Sequence, residues 1–270
     1  MRGRFPGTLG CHMAASTAGH RSEPLQRVVA VVLLEPRFRH AIISLVAVRG
    51  TEFSVAIEDY AKAIFALQGD ADGPVTTTAV AERLGVTPAS ASGMLRRLDD
   101  LGLVAHRRYH GVELTAEGRR LALRVLRHHR LLETYLAESL GMPWDRVHEE
   151  AEVLEHVLSE QLETLIDTQL GHPTHDPHGD PIPSPELVLE ERPSRCLASL
   201  DAGAAGVLAR VSDAQPAMLR YLAERGIAPG ARVEVLERQP FDGPLFVRVG
   251  DDVHVLGAEL ARAIRVELPA

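Results

Sequence analysis

The chain has 270 residues, longer than one ordinary domain, so two or three compact units are the starting expectation. Hydrophobic content of 45% and charged content of 24% are those of a globular protein and exclude a largely disordered one. The net charge of -8 would exclude a nucleic-acid partner only if charge were evenly spread, and it is not: Val75 to Arg130 holds ten Arg against five acids, whereas Asp145 to Leu170 holds eight acids and one Arg.

The two cysteines, Cys11 and Cys196, lie far apart and outside any CxxC pattern, which excludes a disulfide scaffold and fits a reducing, cytoplasmic compartment. The apolar stretch from Leu25 to Val48 is interrupted by Arg27, Glu35, Arg37, Arg39 and His40, too early for a membrane span. Residues 1–50 lack a signal-peptide pattern and any periodicity, and read as an extension outside the functional fold, disordered or reflecting an upstream start-site assignment.

Helical periodicity begins after Ser54, with Ile57, Tyr60, Ala61, Ile64, Phe65 and Leu67 on one face, and ends between Gly69 and Pro74. Thr76 to Leu84 reads as a short helix, Gly85-Val86-Thr87 as a turn, and Pro88 to Leu101 as a second helix with Pro at its first position. This is the order of a helix-turn-helix. Two strands follow, around Gly102-Leu103-Val104 and Val112-Glu113-Leu114, with a turn at Tyr109-His110-Gly111, and together they make a wing. Thr115 caps a long helix that reaches Gly141, with Gly118 tolerated in its first turn, and a further single helix is expected from about Asp145 to Leu170. Gly171 to Pro185, with five Pro and three His, reads as a linker whose His172, His175 and His178 serve packing and turns. From Arg195 the period changes to short strands: Cys196 to Leu200, Gly206 to Val211, Arg232 to Glu237, Leu245 to Val249 and Ile264 to Glu267. A helix from Gln215 to Arg225 interrupts them, and Phe241-Asp242-Gly243-Pro244 forms a hairpin turn. The fold class is mainly α with small β elements, ending in a barrel-like module.

A recognition helix presents small residues at the end that enters the major groove, which suits Thr87, Pro88, Ala89, Ser90, Ser92 and Gly93. Arg96 and Arg97, with Arg107, Arg108 and Tyr109 at the wing, are placed to meet phosphates. The expected partner is double-stranded DNA.

His148, Glu152, Glu155 and His156 recur at i, i+4, i+7 and i+8, so all four share a helix face, and the preceding helix supplies His129 and Glu133 one turn apart. Such a stripe is costly to bury unless paired or metal-bound. No thiol joins it, which favours manganese, ferrous iron or cobalt over copper(I) or structural zinc. Two other classes compete. A metallohydrolase would use His148-Glu149 with Glu152, close to HExxH, or Glu155-His156, close to HxxEH, but each lacks its other His. A winged-helix regulator of an organic ligand would leave the acidic stripe as a solvated face.

Ile57-Glu58-Asp59-Tyr60, the helix-turn-helix, His129-Arg130-Leu131-Leu132-Glu133, Val147-His148 and Glu155-His156 together resemble the diphtheria-toxin-repressor family of metal-dependent regulators. The resemblance runs from about Ser54 to the C-terminus. It implies a winged helix-turn-helix at 51–122, a helical metal-binding and dimerisation domain at 123–170, a Pro-rich linker at 171–193 and an SH3-like, ferrous-transport-A-type domain at 194–270. It also implies a non-enzymatic homodimer that represses metal-homeostasis genes from a palindromic operator.

By the same resemblance, one metal site uses Asp59, Glu152, Glu155 and His156, and a second uses His129, Glu133 and His148, with Asp213 and Gln215 as further candidates from the terminal module. Iron-type members carry Met and Cys where this chain has Asp59 and Glu152, and manganese-type members carry carboxylates, so manganese is the expected ion and ferrous iron the alternative. Lys62 departs from the manganese-type pattern, which in some members has a second carboxylate one turn after the Asp.

Overall fold

The structure, a computed structural model, describes residues 53–70, 73–107 and 111–269. The expectations for residues 1–50 and for Arg108 and Tyr109 fall outside these residues. Helix α1 (Val55–Asp70) starts where the Ser54 carbonyl accepts from the amides of Ile57 and Glu58. Its Ile57, Tyr60, Ala61 and Ile64 pack into one core with Val80 and Ala81 of α2 (Thr77–Arg83) and Ala91, Leu95 and Leu98 of α3 (Pro88–Asp100). Thr76 and Thr87 each cap by accepting from the amide three residues on, and Gly85, at φ +64, makes the turn between α2 and α3 that a β-carbon would strain.

Strands β1 (Val104–Arg107) and β2 (Gly111–Leu114) pair antiparallel, Val104 opposite Leu114, and complete a winged helix. The wing is held tightly to α4 (Ala116–Glu138), which Thr115 caps. Gly118 is required there rather than merely tolerated, because a β-carbon would lie 1.9 Å from the Leu103 carbonyl oxygen.

The single helix expected from Asp145 to Leu170 is two. Helix α5 (Val147–Leu154) ends in a turn at 155–157, and α6 (Glu160–Gln169) begins afresh because the Ser159 hydroxyl accepts from the Leu162 amide. The Pro-rich segment is folded: Asp176 Oδ1 accepts from the amides of His178 and Asp180, each at 2.9 Å, and the His178 carbonyl accepts from Val211.

The C-terminal module is a six-stranded antiparallel sheet in the order β3-β8-β4-β5-β6-β7. Its strands are β3 (Arg195–Cys196), β4 (Ala205–Val211), β5 (Arg232–Arg238), β6 (Leu245–Val249), β7 (Asp252–Leu256) and β8 (Ile264–Glu267). Alternate residues of β6, Leu245, Val247 and Val249, face a core shared with Leu208, Val233 and Ile264 and with Leu219 and Leu222 of α7 (Pro216–Ala223). Cys196 to Leu200 is not one strand; after β3 the chain tightens into a 3-10 turn at Leu197–Ser199. Strand β7 and helix α8 (Ala258–Ala263) were not anticipated, since five- and six-residue elements leave little periodicity. The fold is mainly α with small β elements, a winged helix at one end and an SH3-like module at the other. No described helix is long and apolar enough to cross a membrane.

Candidate metal centre

Helices α1, α4 and α5 converge on one cluster of imidazoles and carboxylates. From α4, the buried His129 reaches Glu155 Oε2 through Nδ1 at 2.5 Å and, through Nε2, Glu133 Oε1 and His148 Nδ1, each at 3.1 Å. From α5, His148 Nδ1 lies 3.2 Å from Glu133 Oε1 and 3.1 Å from Asp213 Oδ2, which the segment after β4 delivers. In the turn after α5, His156 Nε2 faces Asp59 Oδ1 at 3.0 Å and Glu155 Oε1 at 3.4 Å.

The six residues read from helical spacing are therefore in contact, and Asp59 and Asp213 join them. The two groups are not separate: His129 belongs with Glu133, His148 and Asp213, and equally with Glu152 and Glu155. Gln215 is not brought to the cluster. Its amide donates to Glu259 Oε1 at 3.1 Å instead, because Gln215 sits at the start of α7, beside α8. Glu149, which a metallohydrolase would need beside the ligands, is exposed and joins none of the four groups found among the described residues.

Sequence reasoning missed three participants. Glu58, wholly buried, accepts from His156 Nδ1 at 2.6 Å, so its neighbour Asp59 and itself hold opposite edges of one imidazole. Asp176 and His178 form a further group with Glu133. His178 is fully buried, stacks on Trp144 and donates from Nε2 to the Trp144 carbonyl at 2.7 Å. Its Nδ1 has no hydrogen-bond partner and points toward Glu133 Oε1, 3.8 Å away. A Pro-rich segment has no period from which such placement could be read; burial of a histidine there was the missing signal.

The electrostatics of the cluster are those of carboxylates in search of cations. Burial pushes the His156 imidazole down, but its hydrogen bonds to Asp59 and Glu58 and the charge of Glu155 outweigh that and hold its pKa up at about 9. Hydrogen bonds to Asp213 and Glu133 hold His148 up at about 10, and the same contact keeps Asp213 down at about 2 against its burial. Burial raises Glu133, yet hydrogen bonds from His129 and His148 and the nearby His178 imidazole hold it well below the usual carboxylate range. Lys62 completes the balance: its ammonium lies 2.6 Å from Glu152 and 2.7 Å from Glu155, whose charges keep it protonated despite burial.

The donor set fits a divalent ion. In each of four groups the nitrogen and oxygen atoms lie within 4.8 Å of one another, no thiol is among them, and a fully buried imidazole nitrogen is left without a partner.

Most of the DNA-facing candidates on α3 are exposed. Thr87, Pro88, Ala89, Ser90, Gly93, Arg96 and Arg97 are exposed and Ser92 is half-buried, and Arg96 Nε donates to the Ser92 carbonyl. Arg107 ends β1.

Three family descriptions match the chain: the iron dependent repressor N-terminal DNA binding domain over residues 52–112, the iron dependent repressor metal binding and dimerisation domain over 115–184, and the FeoA domain over 195–268. The iron-dependent repressor IdeR of Mycobacterium tuberculosis is 33% identical over 222 residues, covering 78% of this chain and 96% of its own length. The diphtheria toxin repressor of Corynebacterium diphtheriae is 30% identical over 230 residues, with the same two coverages of 78% and 96%. A solved manganese-dependent transcriptional repressor in complex with manganese is 44% identical with a TM-score of 0.74, covering 79% of this chain and 100% of that one. Winged helix, imidazole-carboxylate cluster and FeoA-type module together give the same answer as these matches: the chain belongs to the iron-dependent repressor family of metal-dependent, DNA-binding transcriptional regulators.

Proposed function

We propose that this chain is a cytoplasmic, manganese-dependent repressor that binds a palindromic DNA operator as a homodimer, ferrous iron being the second reading. The observation that carries it is the convergence of Asp59, on a helix of the DNA-binding unit, with Glu155 and His156 at the end of α5. In this reading Asp59, Glu155 and His156 form one site, which Glu152 joins through its grouping with His129 and Glu155, and His129, Glu133, His148 and Asp213 form the other. Carboxylate oxygens at Asp59 and Glu152 favour a hard ion such as manganese. The 44% identity to a manganese-dependent repressor supports the same ion, while the relatives named for iron keep ferrous iron in play.

A divalent cation at these ligands supplies positive charge to the carboxylates and a short link between helices. The chain does the rest. Helix α1 is part of the winged-helix core, so fixing Asp59 to α5 fixes the recognition helix α3 relative to α4 and α5. Ligand binding shifts such an equilibrium only by its preference for one arrangement, which here is the arrangement that closes α1 on α5. Thr87 to Gly93 would then meet base edges, and Arg96, Arg97, Arg107, Arg108 and Tyr109 the backbone. The apolar side chains that α5 and α6 leave exposed, Val153, Leu162 and Leu165, suit a second copy, and a two-fold dimer reads a palindrome.

Calorimetry with manganese, ferrous iron, cobalt and zinc, read beside operator retardation with each ion, tests the proposal. Manganese should bind and switch on retardation. Binding no tighter than about 100 micromolar, roughly 5.5 kcal/mol, for every ion would favour an organic effector instead.

A further inference from the structure

Lys62 stands one helical turn after Asp59 on α1 and reaches into the carboxylates of the first metal site. Its ammonium lies 2.6 Å from Glu152 Oε1, 2.7 Å from Glu155 Oε1 and 2.9 Å from Glu155 Oε2. An ammonium has three donors, and three oxygens take them. Glu155 is fully buried, and its oxygens also face His129 and His156, so no oxygen of it is left uncommitted. Lys62 is itself mostly enclosed, its side chain 18% exposed.

We propose that Lys62 is a built-in cation that occupies the carboxylates of the first site and competes with the divalent metal for them, setting the metal concentration at which the repressor responds. The proposal rests on the metal-site reading above. An ion coordinated by Glu152 and Glu155 at about 2.2 Å would lie within a few ångströms of the ammonium, where two positive charges repel strongly in a partly enclosed site. Ion and ammonium therefore exchange: the ammonium gives up at least one Glu155 oxygen and moves toward solvent along its flexible stem.

Two consequences follow from that exchange. Metal binding gains less than the carboxylates alone would give, because an existing set of charge-assisted hydrogen bonds is broken first. Before metal arrives, Lys62 offsets the mutual repulsion of Glu152 and Glu155, so the metal-free protein is spared the cost of bare carboxylates.

The test uses the full chain and manganese alone as the probe, with affinity read by calorimetry and thermal unfolding followed with and without the ion. Lys62→Met keeps the length and helix preference of the side chain and removes the charge. It should bind manganese at least about tenfold more tightly than the parent, about 1.4 kcal/mol. The metal-free variant should melt lower than the parent, and manganese should raise its melting temperature by more. Lys62→Gln carries the same expectation should the methionine variant fail to fold, and Lys62→Arg should stay near parental affinity. In an Asp59→Ala background the gain should vanish, which a merely structural lysine would not predict. A neutral variant that binds manganese no more tightly than the parent overturns the role given to Lys62. A parent chain that binds none of manganese, ferrous iron or cobalt overturns the metal-site reading itself.

Discussion

At the scale of single residues, the imidazoles proposed as ligands carry protons that a metal would have to expel. His156 titrates at about 9 and His148 at about 10, so both imidazoles are charged at pH 7, whereas a ligand imidazole must be neutral. Manganese affinity should therefore rise between pH 7 and pH 9, with proton release on binding, and a pH-independent affinity would contradict the placement of these residues as ligands. The metal-free protein should behave oppositely. Both folded pKa values lie above the ordinary histidine value of 6.5, so their stabilisation is complete below about pH 6.5 and is lost as pH rises through about 9 to 10. Glu58 makes a second residue-scale case. It accepts the Nδ1 proton of His156 at 2.6 Å and so aims Nε2 at Asp59. Glu58→Ala should weaken manganese binding by roughly tenfold to a hundredfold, with Glu58→Gln recovering part of it, as measured by calorimetry. Spacing along a helix made the cluster visible in the sequence, because His148, Glu152, Glu155 and His156 repeat with its period. Glu58 was invisible for the complementary reason: its partner is 98 residues away and nothing local marks it.

At the scale of elements, the same limits apply. Thr115 was readable as a cap because a cap is a local hydrogen bond between a hydroxyl and an amide three residues on, whereas Thr76 and Thr87, which cap in the same way, were read as part of a helix and of a turn. The break between α5 and α6 was not read, although Ser159 supplies a cap of the same kind, because apolar periodicity continues across it. That break has a consequence: it leaves the Glu155 carbonyl at a helix end, where His128 Nδ1 meets it at 3.0 Å and ties the turn to α4. Gly118 shows what composition hides. A β-carbon there would lie 1.9 Å from the Leu103 carbonyl oxygen, so Gly118→Ala should push the wing from α4, lowering stability by about 1 to 3 kcal/mol in denaturant unfolding. Operator affinity should fall with it while manganese affinity stays near parental.

At the scale of the molecule, the C-terminal module is seated on the metal-binding helices by contacts that sequence order does not suggest. Asp145 pairs with Arg220 at 2.9 Å, Asp180 with Arg210 at 3.0 Å, and Trp144 packs against the module's own core. The seat is close: at Gly179, φ +89, a β-carbon would lie 2.0 Å from the Ala209 carbonyl oxygen. Gly179→Ala should loosen the module, expose residues 171–193 to protease and weaken manganese binding at the group that includes Asp213. Proteolysis at parental rate would contradict the seating. The net charge of -8 likewise misleads only at this scale, since the basic stretch carries the winged helix and the acidic stretch much of the imidazole-carboxylate cluster. The central claim is that closing Asp59 onto α5 couples metal to DNA, and the most direct test is operator affinity with and without saturating manganese in the parent and in Asp59→Ala. Manganese should tighten the parent by roughly tenfold to a hundredfold and leave the variant, still folded by circular dichroism, unchanged. A variant that keeps the parental response would show that the coupling does not run through Asp59.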